Sequence, residues 1–371
     1  MGTSHRREEG QTAGVRQVPG TPRAADASRA AGERQVADGR PVADGRQTAG
    51  VRQVACVGTG LIGARWAAQF LAAGFEVTAT DPSPGAEERL QTDIAAAWPA
   101  LERLGRTKSA QPPGLVFTPD LETAVADADW VQESVPDIEA LKLEVLRRID
   151  AACPPQAVIA SSTSGILPTL LQSVCAHPER VLVGHPFNPV HLLPLVEVVG
   201  GEQTSAQVIE SAMTFYESLG KKPLHCRVEA PGFIANRLQE AIYREAFHLV
   251  NDGIATTAEL DASIFDGPGL RWALFGPAMV YLLQGGRGGM EHAIRQFNPD
   301  HVDDWAHIHY PELTDELINA LHVQTKEQAE GRSLAEWEAL RDEFLIRVLQ
   351  LRDEITTPDA KPRSALPADR L

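Results

Sequence analysis

The sequence predicts an α/β fold, a parallel-sheet domain followed by an all-helical one. Short apolar runs alternate with amphipathic helical periods from Gln53 onward, a glycine-rich turn joins the first run to the first helix, and the strand-like runs stop at Pro231-Gly232. Alternation of this kind specifies a mainly parallel sheet with helices on both faces.

Taken in order, QVACVG (53–58) reads as a strand, and LIGARWAAQFLAAG (61–74) as a helix closed by a glycine. FEVTATD (75–81) is the second strand, and a long helical stretch after it breaks near the Gln-Pro-Pro-Gly at 111–114. Further strands are expected at LVFTPD (115–120), DWVQESV (129–135), AVIASSTS (157–164) and RVLVGH (180–185), most of them separated by helical periods such as IEALKLEVLRRIDAA (138–152). FIANRLQEAIYREAFHLVNDG (233–253) opens a helical region that runs to about residue 352. The expected domains are 51–230 (α/β), 231–352 (helical) and a frayed end at 353–371. Residues 1–50 hold no aromatic residue and repeat QTAGVRQV and VADGR. They offer too little apolar surface to offset ordering entropy and read as a low-complexity, disordered tail. Six acidic residues and the lack of an apolar face argue against a transit peptide.

A formal charge of −16 disfavours a nucleic-acid partner, because repulsion from phosphates opposes encounter. No run reaches the roughly 18–20 apolar residues of a membrane helix. Four dispersed cysteines without a C-x-x-C spacing read as reduced thiols, which places the chain in the cytoplasm. HVDDWAHIHY (301–310) carries three His and two Asp but reads as a polar surface loop, and no metal is expected.

GTGLIG (58–63) fits G-x-G-x-x-G. The pattern alone is weak; here it follows a strand, opens a helix, and precedes an acidic residue at the end of the next strand. Gly58 permits the tight turn, Gly60 lets a pyrophosphate approach the backbone, and Gly63 lets helix and strand pack closely. Thr59, Leu61 and Ile62 complete a Rossmann-type cradle whose helix N-terminus offers amides to phosphates. Asp81 is placed to accept from both adenosine ribose hydroxyls and to repel a 2′-phosphate, so NAD is favoured over NADP. A dinucleotide site does not by itself name a reaction.

RVLVGHPFNPVHLLPLVEVVGG (180–201) raises the second question, because Glu197 sits inside an apolar run and a buried carboxylate needs a partner. Two strands joined by the Asn-Pro turn would bring His185 to it. A glutamate on one ring nitrogen fixes the tautomer and raises basicity, leaving the other nitrogen to take a hydroxyl proton, as alcohol oxidation by NAD requires. Ser164, in SSTSG (161–165), falls on the strand edge where open α/β sheets bind ligands.

GTGLIG, SSTS, GHPFNPV, LVEVV and PGFIANRL, in this order and spacing, resemble the NAD-dependent 3-hydroxyacyl-CoA dehydrogenase superfamily over about residues 53–350. The resemblance implies His185 as general base, Glu197 as its orienting carboxylate, and Ser164 and Asn236 as donors to the reacting oxygen. It also implies that Glu133, Asp137 and Lys142 lie near the cofactor. Two positions depart from the family pattern: Ser162 replaces its usual Asn, and Asp137 its usual Glu. The acyl-CoA members' Gly-Lys-rich, Gly-Phe-Tyr ending is missing, and 84–104 holds more acid than base, an unfavourable field for a polyanionic CoA. The stretches 129–136, 191–201, 269–299 and 331–352 resemble a branch of the superfamily that acts on a small free 3-hydroxy acid bearing a quaternary ammonium; that resemblance implies such a substrate, with a sugar acid or an acyl-CoA ester as the alternatives. Arg271 for a carboxylate, and Trp272, Phe275 and Tyr281 as aromatic faces, are the candidates to hold it. The resemblance further implies a homodimer through the helical domain. A non-catalytic structural protein that kept the fold is the contrasting reading, opposed by the presence together of Ser164, His185, Glu197 and Asn236.

Overall fold

The computed structural model describes residues 50–356 except 110, 111, 113, 274, 275, 286, 288, 297–308, 310 and 330. The low-complexity tail, the 301–310 loop apart from His309, and the end of the chain after 356 lie outside the described residues.

Eight strands form one sheet: β1 (Gln53–Val57), β2 (Glu76–Thr80), β3 (Val116–Phe117), β4 (Trp130–Glu133), β5 (Val158–Ser161), β6 (Val181–Pro186), β7 (Leu195–Gly200) and β8 (Lys222–Cys226), in the order β3-β2-β1-β4-β5-β6-β7-β8. Every neighbouring pair is parallel except β6–β7, a hairpin that pairs His185 directly with Glu197. The sequence order reverses between β1 and β4, so the carboxyl ends of these strands open a crevice.

Both faces of the sheet are buried, which is why its central strands begin with adjacent apolar residues (Trp130-Val131, Val158-Ile159-Ala160, Val181-Leu182-Val183) instead of alternating. On one face α1 (Leu61–Ala72), α2 (Ala86–Arg103) and α6 (Ala206–Ser218) cover an aromatic core. Trp130 stacks on Phe215 at 4.2 Å between centroids, and Trp66 lies against Phe70 and Tyr216 at 5.3 and 5.5 Å. On the other face α3 (Leu121–Val125), α4 (Glu139–Ala152) and α5 (Pro168–Gln172) pack on Val131, Ile159 and Val183. Gly184 lacks a side chain because a Cβ there would collide with the Tyr216 ring crossing β6.

The helical half begins with α7 (Ala235–Asn251), two residues later than the sequence suggests. Gly232 and Phe233 hold φ values of +73° and +50°, left-handed conformations no helix accepts. Then follow α8 (Thr257–Phe265), α9 (Pro268–Trp272), α10 (Pro277–Gln284), α11 (Gly289–Gln296), α12 (Asp315–Gln328) and α13 (Leu334–Thr356). Helix α13 continues past the expected boundary at 352, since Arg352–Glu354 keep the helical period without a breaker. It returns to the sheet domain, where Ile346 packs with Ala100 and Leu192, and Glu343 pairs with Arg103 at 2.6 Å.

Candidate active site

The glycine turn behaves as its spacing requires. Gly58 has φ +85°, and a Cβ on it would press on the Ser134–Val135 backbone at 2.9 Å. A Cβ on Gly63 would strike the Gly58 carbonyl, so only glycine lets α1 start this close to β1. Gly60, the N-cap of α1, has nothing within 4 Å of a would-be Cβ. That open side is where a pyrophosphate fits against the helix amides, and the residues present thus suit a dinucleotide. The turn forms one wall of a groove of about 780 Å³ running from Asp81, Ser83 and Arg89 past Thr59, Gly60, Leu61 and Ile62 to Asp137, Lys142, Ser162 and Ser164.

Asp81 is fixed in place by the turn itself. Its Oδ2 accepts from the Thr59 amide (2.9 Å) and hydroxyl (3.2 Å), and its Oδ1 from the Ser83 amide (2.9 Å). Partial burial opposes ionisation, yet these donors outweigh it and hold the carboxyl below its ordinary value. The carboxylate is thus charged and held in a fixed orientation at the groove's edge.

At the groove's other end Lys142 is part of the lining although only 1% exposed. Its ammonium donates to Glu133 Oε1 (2.8 Å) and the Val135 carbonyl (2.9 Å) and pairs with Asp137 Oδ1 at 3.2 Å. Glu133 is fully buried and does not line the groove: its Oε2 accepts from Ser161 Oγ at 2.5 Å and its Oε1 also from the Val135 amide at 2.6 Å. Asp137 turns its second oxygen to the Ser164 amide (3.0 Å). The three charged residues the resemblance placed near a cofactor therefore form one network that sets the height of the Ser164 loop. Ser162, in the position of the family's Asn, joins Gln132 Nε2 and Ser134 Oγ at 2.9 Å each.

His185 and Glu197 meet across the β6–β7 hairpin, with Nδ1 to Oε2 at 2.9 Å and both side chains buried. The other oxygen, Oε1, accepts from the Ile234 and Ala235 amides, 2.9 Å each, at the start of α7, with the Cys226 thiol at 3.9 Å. Burial alone would raise the carboxyl; His185 and the two amides hold it below its ordinary value. With Nδ1 engaged, Nε2 is the nitrogen left to exchange a proton. The ring rests between Phe187 and Phe233, at 5.1 and 5.5 Å. Asn236 donates from Nδ2 to the Ser164 carbonyl at 3.3 Å, so bonds run from the groove through Ser164 to the helix that holds Glu197.

The structure thus brings Ser164, Asn236, His185 and Glu197 into one bonded neighbourhood. It does not do so for the aromatic candidates: Arg271 and Trp272 sit exposed on α9, outside the groove lining and with no described bond to this cluster. Phe275 and the Tyr281 side chain lie outside the described residues. Sequence reasoning missed the Ile234 and Ala235 amides, Phe187, Phe233, and the Gln132–Ser162–Ser134 bonds. The PGF turn before an Asn was the signal for the first; backbone donors leave no other mark.

Known proteins resemble the chain over both of its halves. The model of the 3-hydroxyacyl-CoA dehydrogenase NAD binding domain matches residues 53–229, and that of the 3-hydroxyacyl-CoA dehydrogenase C-terminal domain matches 232–333. An L-carnitine dehydrogenase of Pseudomonas aeruginosa is 52% identical over 295 residues, 80% of this chain and 92% of that protein. One from Streptomyces coelicolor is 52% identical over 297 residues, 80% and 93% of the two chains. Among solved structures, 5-formyl-3-hydroxy-2-methylpyridine 4-carboxylic acid 5-dehydrogenase, described as an NAD+ dependent dismutase, superposes with a TM-score of 0.69 at 29% identity, covering 82% of this chain and 98% of that one. FadB2 of M. tuberculosis gives 0.57 at 27% identity, covering 74% and 94%. The cofactor is NAD, and the chain belongs to the 3-hydroxyacyl-CoA dehydrogenase family as an NAD-dependent oxidoreductase.

Proposed function

We propose that the chain oxidises L-carnitine to 3-dehydrocarnitine, with His185 as the general base. The observation that carries the reading is the buried His185–Glu197 pair, bonded through the start of α7 to the Ser164 end of the dinucleotide groove. NAD held by the 58–63 turn and Asp81 would supply the acceptor for the C3 hydride. His185 Nε2 takes the hydroxyl proton, and Glu197 stabilises the imidazolium that results. Ser164 and Asn236 are the donors proposed to hold the reacting oxygen. Asp81 orients the adenosine ribose; Lys142, with Glu133 and Asp137, holds the Ser164 loop at its height.

The substrate choice rests on the sequence and on the relatives. The stretches 129–136, 191–201, 269–299 and 331–352 are similar to L-carnitine 3-dehydrogenase, and the curated relatives named above carry that activity in their names. L-gulonate 3-dehydrogenase shares much of the pattern, and the acidic surface disfavours a CoA ester. Arg271 for the carboxylate and Trp272, Phe275 and Tyr281 for the trimethylammonium remain the proposed substrate contacts. A homodimer through the helical half is supported by its uncovered apolar side chains: Leu238, Ile242, Phe265, Leu270 and Phe344 are each more than a third exposed. Four free thiols support a reducing, cytoplasmic setting. Among the described residues no helix is long and apolar enough to cross a membrane.

The test is NADH formation at alkaline pH with L-carnitine, L-gulonate and 3-hydroxybutyryl-CoA side by side, for wild type and His185→Ala. A carnitine-dependent rate lost in the variant is expected. Turnover of gulonate or the CoA ester alone would overturn the substrate, and an unchanged His185→Ala rate would overturn the base.

A further inference from the structure

The turn that joins the two strands of the dyad, residues 187–194, is gripped from outside by two basic side chains. The buried Lys221 donates its amine to the carbonyls of Val190 and, at 3.2 Å, Leu193. Arg106 donates one guanidinium nitrogen to the carbonyls of His191 (3.0 Å) and Leu192 (3.4 Å). Four consecutive carbonyls, 190 to 193, are therefore held by two donors from outside the hairpin. The turn resembles the end of a helix: the Leu192 and Leu193 amides both donate to the Pro189 carbonyl, at 3.0 and 2.9 Å, leaving the later carbonyls without a local donor.

The C-terminal helix closes on the same place. Leu192 packs with Ala100 and with Ile346 of α13, and Gln350 donates to the Arg103 carbonyl at 3.0 Å; Arg106 is partly buried there, with Asp353 and Arg352 of α13 acting on its charge in opposite senses. The hairpin does not need this grip to stay paired, since five residue pairs from Leu182↔Gly200 to Pro186↔Val196 already set its register. The grip acts instead on the segment that follows Pro186, the last residue of β6 and the neighbour of His185.

We propose that Arg106 and Lys221 are positioning residues for the proton-transfer dyad, fixing the 187–194 turn and thereby the angle of the His185 ring on Glu197, with α13 tightened over that turn. The proposal rests on His185 being the base. A displacement of about 1 Å at a reacting group can cost on the order of a hundredfold in rate.

The experiment compares Arg106→Ala, Arg106→Lys, Ile346→Ala and His185→Gln in the full chain, reading kcat and KM for the 3-hydroxy acid and the affinity for NADH by fluorescence. Arg106→Ala should lower kcat about ten- to hundredfold with NADH affinity within roughly twofold of wild type. Arg106→Lys should recover part of the rate because one ammonium still reaches one carbonyl, and Ile346→Ala should move kcat the same way by less. Wild-type kcat in Arg106→Ala, or equal losses in kcat and NADH affinity, would overturn the proposal. If Arg106→Ala does not fold, Arg106→Lys decides alone: a lowered kcat with retained NADH affinity supports the grip, and a wild-type kcat refutes it. An active His185→Gln would instead remove the base that the proposal presumes, whereas an inactive one beside an unaffected Arg106→Ala would sink only the grip.

Discussion

Replacing Glu197 by glutamine tests the dyad most sharply, because both ends of the carboxylate accept hydrogen bonds and an amide can accept at only one end. Oε1 accepts two amide bonds of 2.9 Å and Oε2 accepts one imidazole bond of 2.9 Å. A glutamine that turns its NH2 toward Ile234 and Ala235 opposes donors with donors and leaves two buried amides unsatisfied, at about 1–3 kcal/mol each. The other orientation keeps its oxygen on the amides and points its NH2 at His185 Nδ1. That orientation wins, and it forces Nδ1 to accept, which puts the ring proton on Nε2 and blocks the nitrogen meant to take one. The expected result is a folded protein with near-normal NADH affinity and kcat lower by roughly 10³–10⁴-fold, the range for a base held in the wrong tautomer. Exchange of charged for neutral hydrogen bonds should also cost on the order of 2–4 kcal/mol of stability at neutral pH. Because the carboxyl titrates below its ordinary 4.5, its contribution is complete above that pH and disappears as pH falls through the lowered value, so wild type and variant should converge in acid. Steady-state NADH formation and denaturant unfolding at neutral and acid pH check both. A kcat within tenfold of wild type would refute the tautomer argument.

The other predictions are independent of that one. Lys142→Met leaves Glu133 as a buried, uncompensated charge and should destabilise by about 3–5 kcal/mol in chemical unfolding; an unchanged midpoint would show the pair to be dispensable. Asp81→Asn should raise the KM for NAD about tenfold and increase the ratio of NADP to NAD turnover, while a ratio that does not move would mean Asp81 does not select the cofactor. Trp272→Ala should raise the KM for carnitine by roughly two- to thirtyfold and leave that for NAD alone; equal effects would remove Trp272 from the substrate site. Leu238→Glu with Ile242→Glu, on the exposed side of α7, should shift the mass in light scattering from dimer to monomer, and an unaltered mass would place the dimer contact elsewhere.

Residue type decided what could be read from the sequence. Strands β1, β4 and β6 were legible because all their residues but Gln53 are buried and each holds a short apolar run, VACV, WV and VLV. Strand β8 was not: KPLHC lies at the sheet edge with Lys222, Leu224 and His225 exposed, and shows no apolar run. The dyad was legible because a glutamate inside PLVEVV demands a partner. Its support was not, since the Ile234 and Ala235 amides belong to every sequence alike, and only the left-handed Gly232–Phe233 turn aims them at Glu197. The burial of Glu133 shows the same limit from the other side. The resemblance placed it near the cofactor, whereas its distance from the groove surface depends on Lys142 and Ser161 reaching it from two further elements.

The anchoring of Glu197 on the first turn of α7 bears on how far the two halves can be treated as exchangeable parts. A fragment ending near residue 230 would retain the groove, Asp81 and His185, yet its glutamate would have lost both backbone donors. Such a piece could bind the cofactor while being unable to turn over even the smallest alcohol. Chimeras meant to graft a foreign helical half must accordingly keep the Pro231–Asn236 junction together with the sheet half, because it supplies the donors to Glu197.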